Sequence, residues 1–277
     1  MPTQKDLIGD HPAAPSEFDR WLDCNDIAPT ATKRHRSLTA KIALDMQLIE
    51  WLGRKIFDHH HSDYRVKKLK ENYKKLGFKK YASQHRQLPE ADKVKKGNAT
   101  EILLIEYVQG TLKKDLIKAV KLKYNPNVDQ AIKGDDTLMI DLISVAGKDE
   151  IRIYLGEAKF RSAPSKQVVA DISKSLSKDK KPLSYSFLVN QLGNNVTTED
   201  LADRLDKFIL DEVKKDGRII YTGFLLSDAK TSTVVETHLN SDNPLMVLIS
   251  VGIDDPKELI KKAFEYAETL FANPGLI

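Results

Sequence analysis

The chain has 277 residues, of which 41% are hydrophobic and 30% charged, and its formal net charge is +4. This length is ample for a well-buried core, and the single cysteine, Cys24, excludes an intramolecular disulfide framework and a cysteine-cluster metal site. No apolar run approaches the roughly 20 residues that span a bilayer. The N-terminus carries acids and prolines where a signal peptide is basic and apolar. We therefore expect a cytoplasmic protein with no membrane partner.

The N-terminal region, residues 1–96, is predicted to be helical and basic. Its first ~15 residues are polar and proline-rich, which is typical of a flexible segment. Apolar residues at helical spacing then predict a helix over about Ser37–Phe57. From Arg65 to Lys96 lysines and arginines greatly outnumber acids, with aromatic residues interspersed. Such a stretch suits either a nucleic-acid backbone or a solvated helix face, and both interpretations stay open.

Three consecutive histidines, His59, His60 and His61, follow the first predicted helix. Neighbouring side chains on a helix point about 100° apart, so the three cannot all bind one metal ion. A solvated helix end or a partner contact is the favoured interpretation.

The second region, residues 97–277, is predicted to be a mixed α/β core. A helix is expected over about Asn98–Lys123, and the strands Thr137–Ser144 and Ile151–Phe160 are joined by "AGKD" as a hairpin. Two helical segments follow, and the apolar runs Arg218–Leu226 and Leu245–Ile253 are typical of buried strands. Pro256 then begins a last helix. The predicted fold class is α/β, a mixed sheet flanked by helices with a helical N-terminal extension.

One face of the second hairpin strand changes from apolar to charged along the strand. Ile151, Ile153 and Leu155 alternate as core residues, but Glu157 and Lys159 continue the same face as opposite charges. A turn centred between Gly147 and Lys148 would pair Asp136 with Lys159 and Leu138 with Glu157, and cross-strand partners share a face. The sequence therefore predicts that Asp136, Glu157 and Lys159 cluster at one end of the apolar surface.

Other acids compete for a role in this cluster. Asp141 has the opposite parity, so a structural ion pair or a solvated position is favoured for it, and Asp135 points away if the strand has already begun. Glu101 shares an apolar helix face with Ile105 and Val108. It belongs either to the site or to a capping box with Asn98, and both interpretations stay open.

Carboxylates gathered at a strand end suit a hard cation such as Mg²⁺ or Mn²⁺, which prefers oxygen ligands. A neighbouring lysine can orient or help to deprotonate a metal-bound water and stabilise charge on a phosphate. Asp136, a spacer, and then Glu157-x-Lys159 on the neighbouring strand therefore favour phosphodiester hydrolysis.

These residues carry a family resemblance. "GNATEI" at Gly97–Ile102, "GDD" at Gly134–Asp136 and "GEAKF" at Gly156–Phe160 resemble the PD-(D/E)XK nuclease superfamily, and the whole layout resembles the HamA-type nuclease subunits of Hachiman anti-phage defence systems. The resemblance is best from about Gly97 to Ser177. The proline that often precedes the superfamily's aspartate is replaced here by Asp135, so the choice among Asp135, Asp136 and Asp141 rests on pairing geometry.

The resemblance implies a restriction-endonuclease-like core at residues 97–277. It implies Asp136, Glu157 and Glu101 as ligands of Mg²⁺ or Mn²⁺, and Lys159 as the catalytic lysine. It also implies a DNA endonuclease or nickase that is held in check by a helicase subunit. The alternatives are a catalytically silent, nuclease-like DNA-binding or regulatory subunit, and a repair or resolvase nuclease of the same superfamily.

Overall fold

The computed structural model describes residues 1–72, 88–119, 121–124, 127–130 and 134–273. Its strands are β1 (Leu22–Asp26), β2 (His35–Ala40), β3 (Ile117–Lys118), β4 (Thr137–Val145), β5 (Lys148–Phe160), β6 (Ile219–Ser227) and β7 (Met246–Gly252). Its helices are α1 (Gln4–Ile8), α2 (Glu17–Trp21), α3 (Met46–His60), α4 (Asp63–Asn72), α5 (Asp92–Leu112), α6 (Lys166–Ser175), α7 (Tyr185–Gly193), α8 (Glu199–Asp206), α9 (Leu210–Lys215), α10 (Thr231–His238) and α11 (Pro256–Ala272). A short 3₁₀ helix spans Lys121–Tyr124.

The strands form one mixed sheet in the order β1-β2-β7-β6-β5-β4-β3. The four central strands β2, β7, β6 and β5 pair in parallel, and antiparallel pairs close both edges. Every residue of β6 and β7 is buried, as expected for central parallel strands covered on both faces. The predicted α/β class, with a mixed sheet flanked by helices, is confirmed.

Each face of the sheet has its own core. On one face Met139 and Tyr154 pack with apolar residues of α3, α5 and α11. On the other face Leu138, Ile153 and Leu155 pack with apolar residues of α6, α7 and α8. The period of two along β4 and β5 thus divides the hairpin between the two cores, as its alternation predicts.

The N-terminal region differs from its prediction in two places. The predicted helix over Ser37–Phe57 is wrong at its start, because the chain remains in β2 through Ala40 and α3 begins only at Met46, capped by Asp45. Parallel pairing of β2 with β7, far along the chain, outweighs the local helical spacing. The expected flexible lead-in is also wrong, since α1 buries Leu7 and Ile8 in the core.

Residues 1–96 therefore contribute strands as well as helices, because β1 and β2 belong to the same sheet as the core strands. The proposed boundary between residues 96 and 97 falls inside α5. Residues 73–87, which make up much of the basic stretch Arg65–Lys96, lie outside the described residues. Within the described ranges, every helix is too short or too polar to cross a bilayer.

The three consecutive histidines are buried, so the interpretation as a solvated helix end is wrong. His60 donates from Nδ1 to the carbonyl of Ile56 and accepts the amide of Asn98 at Nε2, 3.0 Å away. His59 contacts Glu106 at 2.8 Å, and His61 donates to the carbonyl of Phe57. Burial lowers the pKa of His60 to about 3 and that of His61 to about 4.

Lowering the pH is expected to destabilise the fold through these histidines. Their folded pKa values lie below the unfolded value near 6.5, so below that pH the unfolded chain binds protons that the folded chain excludes. This contribution is fully present above about pH 6.5 and is lost as the pH falls towards 4, by an amount on the order of a few kcal/mol. Denaturant unfolding over a pH series measures it.

The variant His60→Gln isolates the effect, because it removes one buried titrating group. Its free energy of unfolding should fall less steeply with pH than that of the unaltered protein. The exposed His238 offers a control, since His238→Gln should leave the slope unchanged. Equal slopes for His60→Gln and the unaltered protein would contradict the prediction.

Candidate active site

The β4–β5 hairpin carries the predicted site. Its turn residues Ala146 and Gly147 have φ of 49° and 78°, and positive φ at both central positions is the requirement of a type I′ turn. This turn lies one residue earlier than predicted, so Leu138 pairs with Leu155 instead of Glu157. The register error is two residues, and because side chains alternate with a period of two, every residue keeps its predicted face.

Asp136 lies directly before β4 and contacts β5. Its Oδ2 accepts the backbone N–H of Ala158 at 2.9 Å and lies 3.5 Å from Nζ of Lys159. Gly134, two residues earlier, has φ of 125°, a conformation that favours glycine and shapes the approach of the chain to β4. The structure thus places Asp136 beside Lys159, as the sequence predicts.

Glu157 lies between two partners. One carboxylate oxygen makes a short ion pair with Nζ of Lys159, and the other accepts the hydroxyl of Ser175 at 2.7 Å. Ser175 is the last residue of α6, so this bond ties the helix that follows β5 back to the site. Asp136, Glu157 and Lys159 form one connected cluster with partly exposed side chains.

Glu101 joins the site from α5. The helix begins at Asp92, so Asn98 lies inside it and binds His60 instead of capping. The capping interpretation of Glu101 is therefore wrong. Glu101 lines the same cleft as Asp136 and Lys159. Burial, with the negative charge of Asp136 adding to it, raises the pKa of Glu101 to about 8.

Charge repulsion also acts on Asp136. Burial, and then the neighbouring charge of Glu157, raise the pKa of Asp136 above its ordinary value. Burial alone would lower the pKa of Lys159, but its hydrogen bond to Glu157 and the charge of Asp136 outweigh burial and raise it. Lys159 is therefore a firmly protonated cation between two carboxylates.

The rival aspartates lie elsewhere. Asp141 forms a 2.6 Å ion pair with Lys114, which confirms the structural role favoured for it. Asp135 is fully buried and accepts the backbone N–H of Ser184 at 2.8 Å, with Lys180 3.5 Å away. Of the three candidates, Asp136 is the one that contacts Lys159.

The cleft at the site has a volume of about 960 Å³ and a mixed charge. Its acidic lining residues are Asp92, Glu101, Asp129 and Asp136. Its basic lining residues are Lys93, Lys96, Lys121, Lys159 and Arg161. A cleft that carries several cations beside acidic groups is suited to a polyanionic ligand that also brings or needs a cation.

The acidic groups of the site have the chemistry that a hard divalent cation prefers, but they do not converge on one point. Asp136 and Glu157, with Glu101 in the same cleft, offer carboxylate oxygens, and their mutual repulsion would be relieved by positive charge. As the side chains stand, no three His, Cys, Asp or Glu residues of the described ranges converge tightly enough to hold a metal ion. Lys159 supplies the positive charge between Asp136 and Glu157 instead.

Comparison with known proteins identifies the family. A family model described as HamA matches residues 16–267. The chain belongs to the HamA family. A relative from Bacillus cereus, "Hachiman protein HamA", is 35% identical over 277 residues. The alignment covers 97% of this chain and 97% of that relative. All four candidate residues of this HamA family member lie inside the matched range.

Two site residues of this HamA family member were missed from the sequence. Ser175 bonds Glu157 from the end of α6, and Lys121 lines the cleft from the 3₁₀ helix. Neither carries a local signal, because a serine in a polar helix and a lysine in a basic stretch are ordinary surface residues.

Proposed function

We propose that this HamA family protein is a metal-dependent DNA endonuclease or nickase, the effector subunit of a Hachiman anti-phage defence system. The observation that carries the proposal is the contact of Lys159 with both Asp136 and Glu157 at the edge of an open cleft. Family membership supports the defence role. A helicase subunit as partner and DNA as substrate are parts of the same proposal.

The proposed chemistry assigns each residue one task. Asp136 and Glu157, assisted by Glu101, would hold Mg²⁺ or Mn²⁺, which supplies an activated water and neutralises phosphate charge. Lys159 would orient the attacking water and stabilise the negative charge that develops on the phosphate. Ser175 fixes the second oxygen of Glu157 and thereby holds the carboxylate in place.

Removing single aspartates tests the proposal. Asp136→Asn is expected to lower plasmid nicking by at least about 100-fold, because it removes one carboxylate of the cluster. Asp141→Asn is the matched control, since Asp141 pairs with Lys114 outside the site, and it should keep the nicking rate within a few-fold. Nicking is measured with Mg²⁺ or Mn²⁺ and again with chelator, which should abolish it.

The assay also separates the second candidate function, a catalytically silent DNA-binding subunit. The close Glu157–Lys159 pair favours that candidate, because it already neutralises one of the carboxylates. Binding of DNA without cleavage under every metal would support it. Cleavage that survives Asp136→Asn would instead remove the proposed site.

A further inference from the structure

Lys121 stands at the start of the short 3₁₀ helix between β3 and β4, and its side chain is partly buried. It lines the cleft together with Glu101, Asp136 and Lys159. Its ammonium group lies beside the chain that leads into β4, because Nζ is 3.8 Å from the point where a Cβ on Gly134 would be. Gly134 precedes Asp136 by two residues, so Lys121 lies close to the catalytic aspartate proposed above.

The charge of Lys121 reaches both acids on that side of the site. It opposes the rise in the pKa of Glu101 more strongly than Lys159 does. It also opposes the rise in the pKa of Asp136. The direct evidence for its orientation is geometric, because its ammonium group lies beside Gly134 and its side chain lines the cleft.

Of the other lysines that line the cleft, Lys93 is exposed to solvent and the remaining two have carboxylate partners. Lys159 pairs with Glu157 and Asp136, and Lys96 pairs with Asp92 at 3.3 Å. Lys121 forms no ion pair with a carboxylate within the described ranges. A partly buried ammonium group that has no directly paired carboxylate loses part of its hydration, and an anionic ligand that pairs with it directly would offset that cost.

We infer that Lys121 is a phosphate-binding residue of the cleft, which takes an anionic phosphodiester of the nucleic-acid backbone beside the Asp136–Glu157–Lys159 cluster. The inference rests on the proposed function for the nature of the ligand. Lys159 is held by Asp136 and Glu157 at the cluster, where the proposed function places cleavage of the phosphodiester bond. Lys121 has no such restraint and is available to bind the incoming backbone.

Binding measurements test this role without requiring cleavage. A fluorescent DNA duplex is titrated with the full chain in chelator over a series of salt concentrations, for the unaltered protein, Lys121→Met and Lys121→Arg. Loss of one phosphate contact should weaken binding about 10-fold at low salt and reduce the slope of log affinity against log salt by about 0.9. Lys121→Arg keeps the charge and should restore both quantities.

Lys118→Met provides a matched control. Lys118 is a neighbouring lysine in β3 that bonds Gln109 at 3.1 Å outside the cleft, so its loss should leave affinity and salt slope unchanged. Thermal unfolding of each variant confirms that the fold is retained. An unchanged salt slope for Lys121→Met, or no binding of DNA by the unaltered protein, overturns the inference.

The inference and the proposed function fail in different ways. An unaltered protein that binds DNA with a Lys121-dependent slope but never cuts it keeps the inference and removes the nuclease. A protein that cuts DNA with the same KM and the same salt slope in Lys121→Met keeps the nuclease and removes the inference. Where cleavage is observed, Lys121→Met should raise KM by more than it lowers kcat.

Discussion

Replacing Lys159 with Met is expected to lower the rate of DNA cleavage by roughly 10²–10⁴-fold, the range for losing a group that acts on proton transfer or developing charge. Methionine has a similar length and no charge, so it removes the ammonium group that contacts Asp136 and Glu157. The rate of nicking on supercoiled plasmid, at saturating Mg²⁺ or Mn²⁺, is the measurement.

The variant Lys114→Met is its matched control. Lys114 also pairs with an aspartate of the hairpin, Asp141, but at an exposed position outside the cleft. Its loss should change the nicking rate by less than a few-fold, since surface ion pairs contribute little even to stability. Equal rates for Lys159→Met and Lys114→Met would remove Lys159 from the mechanism.

Replacing Gly156 with Ala is expected to destabilise the fold by roughly 1–3 kcal/mol, the range for overpacking a core. A Cβ at this position would lie 2.0 Å from Oγ1 of Thr137 and 2.6 Å from Cδ2 of Leu104. Leu104 belongs to α5, so its buried side chain, or the helix that carries it, would have to shift away from the sheet. Denaturant unfolding measures the loss of stability.

The same substitution should also weaken cleavage, because α5 carries Glu101 one turn before Leu104. Gly156 thus links packing to the site, since the missing side chain allows the helix to approach the sheet closely enough to bring Glu101 into the cleft.

Gly97→Ala is the control for Gly156→Ala. Gly97 also lies in α5, but nothing stands within 4 Å of the position of its Cβ. Alanine should therefore stabilise the helix by roughly 0.5–1 kcal/mol through propensity alone. A Gly156→Ala variant as stable as Gly97→Ala would contradict the close approach of α5 to β5.

The hairpin and its charged end were determined by the sequence itself. Alternation with a period of two assigns each side chain to a face, and this assignment survives a register error of two residues. Asp136, Glu157 and Lys159 therefore lie together even though the turn was placed one residue too late. The buried central strands were equally predictable, because parallel strands covered on both faces are continuously apolar.

Tertiary structure alone decided the features that depend on distant partners. His35–Ala40 forms a strand because β7, more than 200 residues later, offers its backbone hydrogen bonds, and no local pattern reports that pairing. Glu101 lines the cleft and does not belong to a helix cap, because α5 begins at Asp92 and Asn98 lies inside it, bonded to His60. Ser175 and Lys121 became recognisable only through the groups that they face, since their own sequence neighbourhoods are those of ordinary polar surface. Local periodicity fixes which way a side chain points, whereas long-range packing fixes what it meets.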